Sequence, residues 1–303
     1  MNNISKKHHY LPRYYLSGFT NNDNTFFVYD KQNDKIFETN PGGIFFENNL
    51  NTVTFPNGES SDFLEDMYTE EENQFWSTLD KLRQSTPKTP IKLFDKMHLF
   101  LFLLFLYWRL PINSQFIEKL SERFFLDNGE LNFLRLRNDS GQNAPKEITD
   151  TIKYSLAFKQ SARQIIPFAP FYKDKDWAAK VDGWRFFYTG DNNSWYMVGD
   201  NPIIVKKDVA PDFVTPLREF AFPVSGNILL IGLDEPVKQV LPSEFVIQFN
   251  TSIIETSQRF VACQNKNFLT AIICDYKIHV EYKKTGTIIQ EMFDMLKDKN
   301  MSE

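Results

Sequence analysis

Cysteine and glycine are scarce in this 303-residue chain, with two of the first and 12 of the second. The two cysteines, Cys263 and Cys274, are too few for a disulfide framework, and a reducing compartment is the simplest reading. Few glycines leave few flexible joints. Histidine is sparse too, at four. No long hydrophobic run is present: the most apolar stretch, "MHLFLFLLFLYW" from Met97 to Trp108, has 12 residues, against about 20 for a membrane span. The opening "MNNISKKHHY" lacks the apolar region of a secretory signal. A cytoplasmic protein with no membrane partner is therefore expected. The net charge of −5 argues against a generally basic nucleic-acid binder, but not against a local basic groove. A Walker loop, a dinucleotide GxGxxG, CxxC pairs, HExxH and GxSxG are all missing.

What is there instead is phenylalanine, at 30, in a composition of 42% hydrophobic and 24% charged residues. That is a globular chain with an aromatic-rich core. A single domain over 1–303 is expected, with an N-terminal segment and hairpin at 1–60, a helical region at 61–165, sheet plus helix at 166–280, and a frayed tail at 281–303. The class is α+β, with a central buried helix in the helical middle and a mostly antiparallel sheet followed by a C-terminal helix.

Along the chain, Phe26–Tyr29, the turn "KQND" and Lys35–Thr39 read as a hairpin. A helix over 62–84 begins at Asp62 and Glu65 in a capping-box-like start, and it carries Leu64, Tyr68, Phe75, Leu79 and Leu82 on one stripe. The apolar helix runs over 92–110 and stops at Pro111. Further helices are expected at 113–126 and 146–165. Short runs such as "GWRFFYTG", "SWYMVGD", "PIIVKK", "EFAFPVS" and "NILLIGL" predict an antiparallel sheet. A helix follows from Ser243, its apolar face marked by Phe245, Phe249, Ile253 and Phe260. Residues 268–280 read as strand, with His279 on it.

Candidate chemistry is dispersed. His8 and His9 can bind metal or move protons near neutral pH. In extended chain adjacent side chains alternate, so at most one of them should point inward. Glu65 and Glu72 lie seven residues apart, on the same side of their helix. Glu71 falls nearer the centre of the apolar stripe, where a carboxylate needs a partner or a shifted pKa. Arg109, at the end of the most buried helix, is open to three roles: closing that helix, pairing with Glu72, or clamping a phosphate or carboxylate. Asp200 and Asn201 sit in the turn "GDNPIIV".

Taken in order, "HHYLPRYYLSGF", "FFVYDKQNDKIF", the two glutamates, the Arg109–Pro111 helix end, Asp200–Asn201–Pro202 and "FNTSIIETSQRFV" resemble a bacterial family called domain of unknown function 4238. The resemblance covers residues 6 to 265. It implies an architecture more than an activity, and it expects a serine or threonine where Gly199 stands and a glutamine where Arg13 stands. The matched polar residues come from four segments, and they are expected to converge in one pocket, with the N-terminal segment threaded into the core.

On that expectation His9, Glu72, Arg109, Asp200 and Asn201 are the catalytic set, and His8, Tyr10, Arg13 and Glu65 bind around them. His9, Glu72 and Asp200 are the metal ligands, for Mg²⁺ or Mn²⁺. The leading reading is a metal-dependent hydrolase, a nuclease-like toxin or defence effector acting on nucleic acid or nucleotide. Two alternatives stay open: a non-catalytic module for a small anionic ligand, and a structural or partner-binding protein whose polar cluster only stabilises the fold.

Overall fold

The computed structural model describes residues 7–55, 57–117, 140–142, 145, 151, 155–189, 194–206, 217–234, 238, 240–242, 244–282 and 287–297. Most of the helix expected at 113–126, the first part of the one at 146–165, and the expected cap Ser243 lie outside these residues.

The chain is α+β. It opens with β1 (Lys7–His9), the short α1 (Arg13–Leu16), β2 (Phe26–Asp30) and β3 (Lys35–Thr39). The hairpin forms where expected, with Phe26 opposite Thr39 and Asp30 opposite Lys35. The Asp30 carboxylate accepts from the turn amides of Gln32 and Asn33, and Asp34 takes the left-handed conformation that closes the turn. β4 (Phe46–Asn48) returns to pair antiparallel with β1. β5 (Val53–Thr54) and β6 (Ser60–Ser61) form a small ribbon leading into the helices.

Helix α2 (Phe63–Arg83) buries Leu64, Tyr68, Phe75, Leu79 and Leu82, the stripe that the spacing predicts. Its start differs from expectation. Asp62 makes no side-chain cap; its carboxylate turns sideways to accept from the Thr52 hydroxyl and to face His8. α3 (Leu93–Arg109) is buried almost all round, as a helix surrounded by other elements must be. Leu110 leaves it in extended conformation ahead of Pro111. Among the described residues no single helix is long and apolar enough to cross a membrane. The one pair that passes together, α3 and the segment to Ile117, is bent by 67°.

After α4 (Leu156–Ile165), α5 (Ala169–Lys173) and α6 (Trp177–Asp182) the sheet region begins. β7 (Arg185–Tyr188), β11 (Ile228–Gly232), β10 (Phe220–Ser225) and β9 (Ile204–Val205) form one antiparallel sheet in that order. β8 (Val198–Gly199) departs from the expected grouping. It joins a second sheet, β3-β2-β12-β8, through β12 (Phe260–Cys263).

The central strands β10 and β11 are buried on both faces. Phe220, Phe222, Ile228 and Leu230 face the core that holds α2 and α3. Ala221, Leu229 and Ile231 face a second core under the C-terminal helices. That is why these strands read as continuous apolar runs.

Three C-terminal expectations are corrected. Helix α7 (Phe245–Thr256) ends at Ser257, and Phe260 belongs to strand β12. Residues 268–280 are not strand but part of α8 (Lys266–Glu281), capped by Asn265, whose Oδ1 accepts from the Phe268 amide; His279 sits on it. The tail is not frayed over α9 (Ile288–Leu296), which buries Ile288 and packs Ile289, Met292, Phe293 and Leu296 into the second core.

Candidate functional site

The end of α3 places Arg109 in the first core, where its side chain is only 4% exposed. A buried guanidinium needs a counter-charge, and α2 supplies it. Tyr68, Glu71, Glu72 and Phe75 stand at i, i+3, i+4 and i+7 on α2 and so share one face. Arg109 Nη1 donates to Glu72 Oε1 over 2.5 Å. The guanidinium also lies 4.2 Å from the centre of the Tyr68 ring, a cation–π contact. Burial works against its charge, but Glu72, Tyr68 and Glu65 together outweigh burial and raise its pKa. Of the three roles open to Arg109, pairing with Glu72 is the one seen.

Beside this pair is a pocket enclosing about 240 Å³ of empty space, part of it open to solvent. Its polar wall is Tyr14, Tyr68, Glu71, Glu72 and Arg109; Pro12 and side chains of α2 and α3 supply the rest. Four of its buried polar atoms have no hydrogen-bond partner: Tyr14 Oη, Tyr68 Oη, Glu71 Oε2 and Arg109 Nε. Burial pushes the Glu71 carboxyl up to about 8; Arg109 opposes the shift, and Glu72 and Glu70 reinforce it. At pH 7 Glu71 is therefore mostly protonated and is a donor. Burial likewise raises both tyrosines, Tyr68 to about 12, so both keep their protons.

Neither histidine lines this pocket. His8 and His9 are both buried, contrary to the expected alternation, because three-residue β1 is covered on both of its faces. His8 Nδ1 accepts from the Asn51 amide at 2.8 Å, which leaves the proton on Nε2, 3.8 Å from Asp62. The Asn51 side chain donates to Glu65, so Glu65 holds the N-terminal segment and does not cap α2. His9 packs on Phe46 and leaves Nε2 unpartnered. Burial, then Arg13 and Arg109, lower its pKa to about 4, so it is neutral at pH 7. Tyr10 is buried against Phe45 and donates its amide to the Phe45 carbonyl.

Asp200 stands apart from the pocket. Its carboxylate accepts from three successive amides, Gln258, Arg259 and Phe260, at 2.7–2.9 Å. These bonds turn the chain out of α7 and into β12. Asn201 does not line the pocket either. Gly199 sits against α7: a Cβ there would lie 2.0 Å from Ser257 Oγ, so a serine or threonine requires the Ser257 hydroxyl to turn away. We expect Asp200→Ala to lower stability in urea denaturation by about 1–3 kcal/mol, since it strands the part-buried amides of Arg259 and Phe260 and frees the exposed one of Gln258 to water. A loss below about 1 kcal/mol would mean that water meets those amides equally well.

The convergence expected from sequence is therefore partial. Glu72 and Arg109 meet, Glu65 and His9 lie close enough to act on the Arg109 charge, His8 is tied to Glu65 through Asn51, and Asp200 serves the β8–β12 junction. The expected metal set does not form. Among the described residues no group of three or more His, Cys, Asp or Glu is placed to hold a metal ion. Glu72 is engaged by Arg109 and Asp200 by backbone amides. Tyr14, Tyr68 and Asn51 are absent from the sequence-derived set; a tyrosine in an apolar stripe carries no sign that its hydroxyl is unmet.

Fold and site together define an α+β protein organised round a buried arginine–carboxylate pair and a pocket of unmet polar groups. The chain belongs to the family described as "Protein of unknown function (DUF4238)", which it matches over residues 7–267. The match contains both histidines, the whole pocket wall and Asp200. No curated protein and no solved structure matches the chain.

Proposed function

We propose that this chain binds a small, oxygen-rich ligand in the pocket at the end of α3. The observation that carries this reading is a set of four buried polar atoms without partners on residues that line one pocket. Buried polar groups are nearly always hydrogen-bonded, because an unmet one costs about 1–3 kcal/mol. Four in one place point to an occupant that meets them.

The chemistry of that occupant follows from the wall. Arg109 Nε only donates, protonated Glu71 donates, and the two phenols can donate. Such a set suits an acceptor-rich group: a carbonyl, carboxyl or phosphoryl oxygen. The enclosed part of the pocket holds at most about one water-sized group, so a single oxygen of the ligand enters it and the larger body stays at the mouth.

A second reading, hydrolysis of the bound ligand, is favoured by Glu71. A carboxyl titrating near pH 8 is suited to give and retake a proton. A metal-dependent nuclease acting as toxin or defence effector has less support, since Mg²⁺ and Mn²⁺ want several free oxygen donors and the carboxylates named for that role are already engaged.

The test is thermal unfolding with a panel of compact carbonyl, carboxylate and phosphate compounds, on the wild type and the Tyr14→Phe/Tyr68→Phe double variant. We expect at least one class to raise the wild-type midpoint in a concentration-dependent way, with most of that shift lost in the double variant. A panel without effect on the wild type, or an equal shift in both proteins, removes the pocket as the binding site. Any compound that binds is then assayed for hydrolysis.

A further inference from the structure

We infer that Glu72 is a built-in stand-in for the ligand's own oxyanion, and that a carboxylate or phosphate group takes its place on Arg109 while Glu72 turns out to solvent. This rests on the pocket being a ligand site, and it adds the charge of the ligand and the gate that admits it.

Three observations carry it. The first is an asymmetry within the pair: the Arg109 side chain is 4% exposed and that of Glu72 is 27% exposed. The anion has a way out and the cation has none. The next residues of α2, Asn73 and Gln74, are exposed, so a rotamer change takes the Glu72 carboxylate towards water without moving the backbone.

The second is incomplete use of the guanidinium. Glu72 engages Nη1 through one oxygen, and Nε is left without a partner. A guanidinium is a planar fork matched to two oxygens at once. An incoming oxyanion can meet Nη1 and other guanidinium donors and still take bonds from the two phenols, which Glu72 does not.

The third is charge. Arg109 is the one cation among the described residues that line the pocket. With Glu72 in place the pair is neutral and offers an anion nothing; with Glu72 turned away the pocket carries one uncompensated positive charge in a buried setting, where it is weakly screened. An anion is then favoured and a neutral ligand is not. The partly buried carboxylate competes for the same atoms, so the free protein holds its own counter-ion until a better one arrives.

The experiment uses Glu72→Gln, which keeps a hydrogen-bond acceptor for Arg109 but removes the charge, with Glu72→Ala as the second variant and Arg109→Met as the control. Acetate and phosphate are titrated separately into each protein in a low-chloride zwitterionic buffer at pH 7, with binding heat and thermal midpoint as readouts. The expected result is that at least one anion binds Glu72→Gln about tenfold or more tightly than wild type, the scale set by removing one nearby like charge, and that Arg109→Met binds neither. Which arm responds separates a carboxylate ligand from a phosphate one.

If an anion binds wild type through Arg109 but binds Glu72→Gln no tighter, the stand-in is overturned while the pocket reading survives. If neither anion binds any of the proteins, the stand-in is overturned, and the pocket reading is then decided by the carbonyl compounds of the thermal panel. Equal binding to Arg109→Met places the anion elsewhere and also overturns the inference. Should the Glu72 variants fail to fold in buffer, the anion must restore a cooperative transition to them; failure to do so overturns it as well.

Discussion

Glu72→Ala lowers the free energy of unfolding by about 3–5 kcal/mol in anion-free buffer, whereas Arg109→Met lowers it by only about 1–2 kcal/mol. The two substitutions remove the same ion pair, so their difference reads what each leaves behind. Without Glu72, the guanidinium stays in the core with no paired carboxylate and only Glu65 acting on it from further off, because its side chain has almost no surface through which to reach water. The stacking on Tyr68 remains, but a cation–π contact is worth about 0.5–2 kcal/mol and does not replace a carboxylate.

Without Arg109, the stranded group is Glu72, which has a path to solvent, and the methionine fills apolar space among Phe75, Phe102, Phe105 and Leu106. Urea denaturation of both variants checks this. Equal losses would mean that the energy lies in the bond itself and that Glu72 has no exit, which would also weaken the case for its displacement by a ligand. The double variant should be close to Arg109→Met alone, because once the cation is gone the carboxylate has nothing left to balance.

Much of this arrangement is legible from residue chemistry, and the limits have physical causes. α2 and α3 follow from helical spacing and from the stop before Pro111, and the Arg109–Glu72 pair follows from the expense of burying a lone guanidinium. The junction at 257–263 is not legible that way. Phe260 falls at helical spacing from Ile253, and nothing local ends the helix. The break is made by Asp200, some 60 positions away in sequence, which takes three amides. α8 reads as strand because its isoleucines are β-branched; the overlooked signal is Asn265, a good N-cap three residues before Phe268. β8 is two residues long and carries no periodicity, so its sheet is set by pairing with β12 alone. In the pocket, Glu71 is visible as a carboxylate on an apolar stripe, but Tyr14 and Tyr68 look like ordinary core.

Glu71→Gln stabilises the protein at pH 9 and leaves it nearly unchanged at pH 4. The sign follows from the direction of the shift. Burial raises the folded-state pKa of Glu71 from an ordinary 4.5 to about 8. Below the ordinary value the carboxyl is protonated in both the folded and the unfolded chain, and an amide is close to neutral in effect. Between the two values the unfolded chain has released its proton and the folded chain has kept it, so wild-type stability falls as pH rises. Above about 8 the folded protein holds an ionised carboxylate beside Glu72 and Glu70, with Arg109 as the only opposing charge among the causes of its shift. The gain in Glu71→Gln should then reach about 2–3 kcal/mol, roughly half of what such a shift carries at full burial, because Glu71 keeps part of its surface in water.

The comparison must be made between variant and wild type at each pH, not along one curve. His9, whose pKa is lowered to about 4, acts in the opposite direction: its share of stability is lost as pH falls from its ordinary 6.5 towards 4. That slope is common to both proteins and cancels in the difference, while Tyr14 and Tyr68 titrate well above the window. Urea denaturation at pH 4, 6, 7.5 and 9 gives the curve. A difference that rises through this window places an uncharged carboxyl in the pocket at neutral pH, the donor that an oxyanion on Arg109 needs nearby. A flat difference would mean that Glu71 is ionised throughout, and an ionised Glu71 would repel the anionic ligand inferred for this site.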